Sequence, residues 1–275
     1  MMHWWQAMIL GAVEGLTEYL PVSSTAHLIL AQRALGIAGG EGANAYAICI
    51  QAGAILAVLS LYLKRIGSML NGVAGRDPEG RALAVNVIVG FVPAAIIGKL
   101  LDDPIERVLF GLWPVVIAWF VGGLAILVVS YARRGKASSG GKPLSALTPQ
   151  RAAIIGLAQC LALWPGTSRS LATIVAGLLV GLEMVAAVEF SFLLGLVTLS
   201  AATAYKALKS GGVMVHEYGA LNIAIGAVVS FLSALAAVRW MVGYLKRHGL
   251  WVFGVYRVLL ALIVAELLAT GMLRP

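Results

Sequence analysis

Long apolar stretches separated by short polar connections dominate the chain. Six of them reach the roughly 17 residues or more that an α-helix needs to cross a bilayer, at 45–63, 82–101, 112–132, 187–206, 219–244 and 250–272. Four shorter apolar stretches form two adjacent pairs, at 4–20 with 24–36 and at 151–164 with 168–182. The pattern predicts an all-α, polytopic membrane protein with six transmembrane helices.

A polar turn that contains proline interrupts each pair of short apolar stretches. The first turn is Pro21-Val22-Ser23-Ser24-Thr25, and the second is Pro165-Gly166-Thr167-Ser168-Arg169. Irregular backbone at membrane depth survives only where protein or a water-filled cavity covers it. We therefore predict two re-entrant helical hairpins whose tips lie within the membrane.

The two hairpins resemble each other in sequence. Residues 9–14 align with 154–159, and residues 20–24 align with 164–168 after a gap of one residue. Three spanning segments follow each hairpin, so the second copy is predicted to be inverted relative to the first. We predict one domain over residues 1–275, with inverted-repeat halves at about 1–135 and 150–275. The connection at 136–149 is predicted to be a cytoplasmic linker, flexible at 137–141. Such repeats place substrate sites near the bilayer midplane.

Composition and charge agree with a membrane location. Hydrophobic residues make up 60% of the chain and charged residues only 12%, about half the charged fraction of soluble domains. The net charge of +8 could indicate nucleic acid, but the basic residues lie in short loops between apolar segments, so we expect membrane lipids and no nucleic acid as partners. One predicted face collects eleven of the 20 Lys and Arg residues and the other six. The positive-inside rule makes the first face cytoplasmic, which turns both termini and the mouth of the first hairpin outward.

Two carboxylates precede the first turn. Glu14 and Glu18 are four residues apart, so they share one helix face and repel each other unless a cation or a proton compensates. Hard oxygen ligands suit Mg²⁺ or Ca²⁺, and we predict that this pair holds a divalent cation. Ser23, Ser24 and Thr25 follow, and one of them is expected to cap the next helix. The other candidates for this site are His27, as a general acid or base, and Gln51, as an amide that either lines the site or serves only packing.

The second turn carries an arginine and several hydroxyls. Arg169 has a planar donor fork that suits phosphate oxygens, and a guanidinium within the bilayer needs an anionic partner. A structural ion pair with Glu14 or Glu18 is the alternative. The neighbouring hydroxyls predicted to bind the same anion belong to Thr167, Ser168, Ser170 and Thr173.

Other polar and aromatic residues are given structural roles. Arg257 and Glu266 are interpreted as helix-end groups. Cys49 and Cys160 are expected to be buried free thiols, because they match no metal-binding or disulfide spacing. Interfacial belts are predicted for Trp4, Trp5, Trp113, Trp119, Trp240 and Trp251.

At these motifs the sequence resembles the undecaprenyl-diphosphate phosphatase family, the integral-membrane bacitracin-resistance proteins of bacteria. Four stretches carry the resemblance, at 13–27, 159–173, 50–58 and 189–194. The family's paired glutamates fall on Glu14 and Glu18, its turn serine on Ser24, its histidine on His27 and its arginine on Arg169. Its surrounding hydroxyls fall on Ser168, Ser170 and Thr173. Two departures are Ala26 and Leu171, where the family often has glycine; Leu171 is expected to narrow the site or to point into the bundle.

The resemblance implies a phosphatase of the bacterial cytoplasmic membrane that removes the terminal phosphate of a C55 polyprenyl diphosphate with a divalent metal. It places the active site on the outer face. On this view Arg169 and the two half-helix N-termini hold the diphosphate, and His27 activates either water or Ser24; the residues do not choose between these two nucleophiles. A homodimer is left open as an alternative to a monomer.

Two other interpretations compete with hydrolysis of a lipid diphosphate. A lipid flippase or transporter shares the architecture of inverted repeats with broken helices, and it needs no nucleophile or base. A soluble-type acid phosphatase requires a lysine eight residues before Arg-Pro, but the residue eight before Arg274-Pro275 is Glu266. The second rival is thereby excluded.

Overall fold

The computed structural model describes residues 2–37, 39–109, 111–133 and 140–273, and it is helical throughout. In chain order the helices are α1 (Trp4–Thr17), α2 (Ser24–Ala34), α3 (Glu41–Leu61), α4 (Leu63–Val73), α5 (Pro78–Leu109), α6 (Leu112–Ala132), α7 (Pro149–Gln159), α8 (Arg169–Leu179), α9 (Met184–Tyr218), α10 (Ala220–His248) and α11 (Trp251–Ala269). Among the described residues the one β-type pairing is an isolated bridge between Lys142 and Leu182. The prediction of an all-α fold is confirmed.

Six helices of the described chain are long and apolar enough to cross a membrane: α3, α5, α6, α9, α10 and α11. They coincide with the six predicted spans, so the chain is an integral, multi-pass membrane protein. Two of them are much longer than predicted, because α5 has 32 residues and α9 has 35. The hydrophobic pattern marks only the part of a helix that lipid surrounds, and both helices continue beyond it.

Four helices near the two turns are short. Helix α1 has 14 residues, and α2, α7 and α8 have 11 each. At 1.5 Å per residue these lengths are about 16–21 Å, well below the roughly 30 Å of the hydrocarbon core. The lengths are compatible with re-entrant hairpins, which stay a prediction.

Helix α4 was absent from the sequence prediction. Its residues Lys64 and Arg65 are exposed, and so are its apolar residues Leu70 and Val73, so it has no uniform apolar run for a hydrophobicity scan to find. The turn that follows is fixed by Asp77, which accepts hydrogen bonds from the Gly80 N–H at 2.9 Å and from the Ser68 hydroxyl at 2.6 Å. These bonds lower the pKa of Asp77 below its usual range and cap the start of α5.

The connection between the predicted halves is partly folded. Residues 136–139 of the predicted linker lie outside the described residues. The Lys142 N–H donates to the Gly181 carbonyl at 2.8 Å, and the Glu183 N–H donates to the Lys142 carbonyl at 3.0 Å. A 3₁₀-helix at Leu144–Ala146 follows, and Leu144 and Leu147 are buried. Residues 142–147 are therefore fixed to the connection between α8 and α9.

The chain divides into two compact units. The first contains Met1–Leu20, Ser24–Gly67 and Gly195–Met241. In it α1 and α3 pack together, and α1 also crosses α10 at very close range, because a Cβ at Gly11 would lie 2.4 Å from the Gly226 carbonyl oxygen. The apolar core of this unit includes Leu10, Tyr46 and Ile50.

The second unit contains Pro21–Ser23, Ser68–Leu194 and Val242–Pro275. Helix α6 packs along α11, and α7 packs on α5. The crossing of α7 and α5 is as close as the one in the first unit, because a Cβ at Gly156 would lie 2.3 Å from the Gly90 carbonyl oxygen.

These two glycine crossings occupy equivalent places in the predicted repeat. Gly11 and Gly156 align in sequence, and α10 and α5 are each the second spanning helix after a hairpin. In each unit a hairpin helix from one half packs on the second spanning helix of the other half. The arrangement is compatible with an interleaved inverted repeat.

Candidate active site

The first turn brings together two buried carboxylates. Glu14 lies in the last turn of α1 and is 1% exposed, and Glu18 caps the same helix and is 7% exposed. The Glu18 N–H donates to the Glu14 carbonyl at 2.9 Å, so the helical geometry continues through both residues. The side chains therefore lie one above the other on one face, as the spacing predicted.

Ser24 lies directly against this carboxylate pair. It is the first residue of α2, it is buried, and its hydroxyl donates to Oε2 of Glu18. His27 follows one helical turn later and is half-buried. A carboxylate that accepts a hydrogen bond from a serine hydroxyl can also accept its proton. Glu18 therefore occupies the place of a base next to Ser24.

The remaining predicted residues of this region differ in exposure. Thr25 is exposed on α2, and Gln51 is half-buried on α3, the helix that packs against α1. Ser23 is buried, and its backbone has a left-handed φ of 72°, which is unusual for a residue other than glycine. The backbone at the end of this turn is therefore held in a conformation that few side chains tolerate.

The second turn has the same kind of backbone. After α7 a 3₁₀-helix at Cys160–Leu163 leads into Trp164-Pro165-Gly166, where Gly166 has a φ of 99°. Ser168 has a φ of 74° and caps α8 by accepting a hydrogen bond from the Leu171 N–H at 3.3 Å. Its Oγ also lies 3.0 Å from Oγ of Ser170. Thr167 is half-buried, and its N–H donates to the Trp164 carbonyl.

Backbone conformation corrects the register of the sequence alignment between the turns. The alignment paired Ser24 with Ser168, but the two left-handed serines are Ser23 and Ser168, and each directly precedes a short helix. Ser24 therefore corresponds to Arg169. Each turn places a chemically important side chain at the first position of its helix.

A serine that the sequence analysis did not select holds the groups of the second turn. Ser191 of α9 is fully buried, its carbonyl accepts a hydrogen bond from Nη1 of Arg169 at 3.1 Å, and its Oγ lies 2.7 Å from Oγ1 of Thr173. Thr173 also donates to the Arg169 carbonyl at 2.8 Å. The one sequence signal for Ser191 was its position within the stretch 189–194 that resembles the family. A serine in an apolar helix does not show which residues it faces.

Two residues given other roles by the sequence bind the backbone of the turns. Arg257 is not a helix-end group: it lies well inside α11, is fully buried, and donates to the carbonyls of Pro21 at 3.3 Å, Ala118 at 2.9 Å and Gly166 at 2.8 Å. Trp119 is not an interfacial residue either, because it is fully buried and its indole N–H donates to the Val22 carbonyl at 2.9 Å.

Two smaller expectations concern packing. Leu171 is 4% exposed, and its Cδ2 would lie 3.0 Å from a Cβ at Gly122. It therefore points into the helix packing between α8 and α6 and does not narrow the turn. The two cysteines are free, as predicted, although Cys160 is only half-buried whereas Cys49 is buried.

The donor set at the first turn was compared with what a divalent cation requires. Within the described residues no group of three or more His, Cys, Asp or Glu side chains could hold a metal. Two buried carboxylates beside a hydroxyl nevertheless fit Mg²⁺, which is usually held by one or two carboxylates together with substrate phosphates and water. The residues present therefore suit a cation that arrives with a phosphate substrate.

The fold and the two turns define a polytopic α-helical membrane protein whose predicted site residues lie mostly on short helices beside turns. A family model described as bacitracin resistance protein BacA matches residues 7–263. The chain belongs to this family.

Curated relatives match over almost the whole chain. A protein of Sorangium cellulosum named undecaprenyl-diphosphatase is 44% identical over 96% of this chain and 86% of its own length. Undecaprenyl-diphosphatase 2 of Rhodospirillum rubrum is 42% identical over 97% of this chain and 96% of its own length. Undecaprenyl-diphosphatase 3 of Acinetobacter baylyi is 42% identical over 94% of this chain and 96% of its own length.

Proposed function

We propose that this chain hydrolyses undecaprenyl diphosphate to undecaprenyl monophosphate and inorganic phosphate, and so recycles the lipid carrier of cell-wall synthesis. Relatives that carry this name match nearly its full length. The observation that carries the proposal is the buried hydrogen bond from Ser24 to Glu18 beside Glu14, because it supplies a nucleophile and a base at one turn. A flippase would need neither.

Ser24 is the proposed nucleophile. Its Oγ attacks the terminal phosphorus while its proton passes to Glu18. The bond from that phosphorus to the bridging oxygen breaks, and undecaprenyl monophosphate leaves with a proton from His27. Water then attacks the phosphoserine and gives a proton to His27, Glu18 returns its proton to Ser24, and phosphate is released.

Charge on the diphosphate has to be neutralised for this reaction. Glu14 and Glu18 would hold Mg²⁺ or Ca²⁺, which when bound neutralises phosphate charge. Arg169 provides a planar fork for phosphate oxygens, and the start of α8 adds backbone N–H groups. Further contacts to the substrate are proposed for Ser23, Thr25, Gln51, Thr167, Ser168, Ser170 and Thr173.

The same proposal covers location and partners. The chain lies in the bacterial cytoplasmic membrane with both termini and the mouth of the first hairpin outside, and the prenyl tail of its substrate lies among lipids. A monomer and a homodimer remain the alternatives, and chemical cross-linking in membranes at low protein density distinguishes them.

The metal role is tested by phosphate release from purified protein with C55 polyprenyl diphosphate, with and without a chelator. We expect chelation to stop turnover, and Glu14→Gln to lower it at least a hundredfold while the protein still folds. The matched control is Glu266→Gln, an exposed carboxylate on a spanning helix, which should stay within twofold of wild type. Full activity in chelator, together with an active Glu14→Gln variant, would remove the metal from the proposal.

The nucleophile is tested by rapid acid quench with substrate labelled in its terminal phosphate. We expect labelled phosphoserine at Ser24 by mass spectrometry and no turnover by Ser24→Ala. Ser60→Ala is the control, because Ser60 bonds only its own helix at the Ala57 carbonyl. If no phosphoserine forms and Ser24→Ala still turns over, water is the nucleophile. If the wild type releases no phosphate under any condition, the transporter interpretation replaces the enzyme.

A further inference from the structure

Arg257 is the feature of the fold that the proposed chemistry leaves unused. Its side chain is fully buried, and its hydrogen bonds within the described residues all go to backbone carbonyl oxygens. Burying a guanidinium at membrane depth is costly, and a packed apolar side chain at such a place is often the more stable choice. Stability alone is therefore a poor reason for an arginine here.

The carbonyls that Arg257 binds are equivalent points of the two turns. Pro21 lies two residues before Ser23, and Gly166 lies two residues before Ser168, so each accepting carbonyl has the same distance in sequence from a left-handed serine. The third acceptor, the Ala118 carbonyl, belongs to α6. One planar group thus joins the backbone of both turns to a spanning helix.

The turns have features that call for such support. Their serines hold left-handed backbone, which is unfavourable for a residue with a side chain. The Trp119 indole adds a second bond to the first turn at the Val22 carbonyl. Gly122 leaves room for the guanidinium, because a Cβ there would lie 2.3 Å from Nη2 of Arg257.

We propose that Arg257 is a positioning residue for catalysis, which holds the backbone ahead of Ser24 and the backbone ahead of Arg169 in their reactive conformations. It acts through these two residues and does not touch the substrate. The proposal rests on the proposed phosphatase function. We expect the loss of Arg257 to lower kcat, because the groups that it positions act in the transition state.

The first test measures kcat, KM and thermal stability for Arg257→Lys and Arg257→Gln. Lysine keeps the charge, but its single ammonium cannot replace a planar fork that spans three carbonyls. We expect kcat of Arg257→Lys to fall at least tenfold with KM within about twofold, and Arg257→Gln to be lower still. The control is Arg239→Lys, an exposed arginine on the spanning helix α10, which should behave as wild type.

Gly122→Ala is the second variant, because it displaces the guanidinium without removing it. We expect a loss of kcat larger than its loss of stability would explain. Gly254→Ala is its packing control: a Cβ there meets Leu127 and the Gly123 carbonyl in the same α6–α11 contact, but not the guanidinium. Gly254→Ala should melt earlier and keep its specific activity.

Hydrogen exchange separates the failure of this inference from failure of the proposed function. In Arg257→Gln the backbone amides at 22–25 and 167–170 should both exchange faster, whereas in Arg239→Gln they should not. This readout needs no substrate, so it decides the positioning role even if the wild type releases no phosphate. Unchanged exchange in both turns, or Arg257 variants that melt early yet keep full specific activity, would overturn the inference.

Discussion

Ser24 and Arg169 each stand first in a short helix, directly after a serine with left-handed backbone. At that position a side chain lies beside the free N–H groups of the helix start, where negative charge is favoured. The hydroxyl of Ser24 at the start of α2 is suited to attack a phosphate. The guanidinium of Arg169 at the start of α8 is suited to bind one. The equivalence of Ser24 and Arg169 follows from the backbone φ of the preceding serines, and the alignment of residue types did not show it.

Arg169→Lys distinguishes an anchor for phosphate from a structural cation. Lysine keeps the charge but loses the two-pronged donor set. We expect turnover to fall at least tenfold, about 1.4 kcal/mol of transition-state stabilisation, while the melting temperature stays near that of wild type. Kinetics and calorimetry on the same samples provide both readouts. A variant that melts early but retains full specific activity would show that Arg169 serves the scaffold.

At the scale of helices, close crossings at glycine place two of the short helices, α1 and α7. Gly11 in α1 faces the Gly226 carbonyl of α10, and Gly156 in α7 faces the Gly90 carbonyl of α5. Small residues let membrane helices approach closely enough to pack without the hydrophobic effect that drives association in water. The two turns come after these helices in the chain, the second with the 3₁₀-helix Cys160–Leu163 in between, so the crossings help to place the turns.

Gly11→Ala and Gly156→Ala should each destabilise the protein. A Cβ at either place would lie under 2.5 Å from a carbonyl oxygen, so the helices must separate, and overpacking of this kind costs about 1–3 kcal/mol. We expect a lower melting temperature in detergent for both variants. Gly243→Ala in α10 is the control, since nothing lies within 4 Å of its Cβ and alanine is the better helix former. Equal melting of all three variants would show that the crossings are loose.

At the scale of the molecule, six spanning helices and an excess of basic residues in one set of loops predict a direction in the membrane. If the first hairpin opens outward, the diphosphate left behind after wall precursors are used reaches Ser24 from outside. The orientation is thus part of the functional proposal.

The orientation is tested with single cysteines in a background where Cys49 and Cys160 are replaced by alanine. A cysteine at Gly39 should react with an impermeant maleimide from outside, and one at Ser139, which lies outside the described residues, only after the membrane is opened. Gly39 is preferred to its neighbour because Gly40 has a φ of 152°, where a side chain is strained. Labelling of both positions from the same side would contradict the proposed topology.

The sequence by itself determined the six spans and the Glu14–Glu18 pair with Ser24 after it, and it predicts the two re-entrant hairpins, with which the short helices are compatible. Each of these features depends on residues that are close together in the sequence: the length of an apolar run, a proline in a turn, or a spacing of one helical turn. Helix α4 was not predicted because Lys64, Arg65, Ser68 and Asn71 interrupt its apolar residues, so it contains no long apolar run.

Only the tertiary structure decided what the isolated polar residues do. Arg257, Trp119 and Ser191 each lie in an apolar helix, and their partners at Pro21, Val22 and Arg169 are 236, 97 and 22 residues away in the chain. A residue type shows which hydrogen bonds a side chain can make, but the packing of helices determines which carbonyl lies within reach. The sequence therefore specified the chemical groups of the turns, whereas the fold specified how those turns are held.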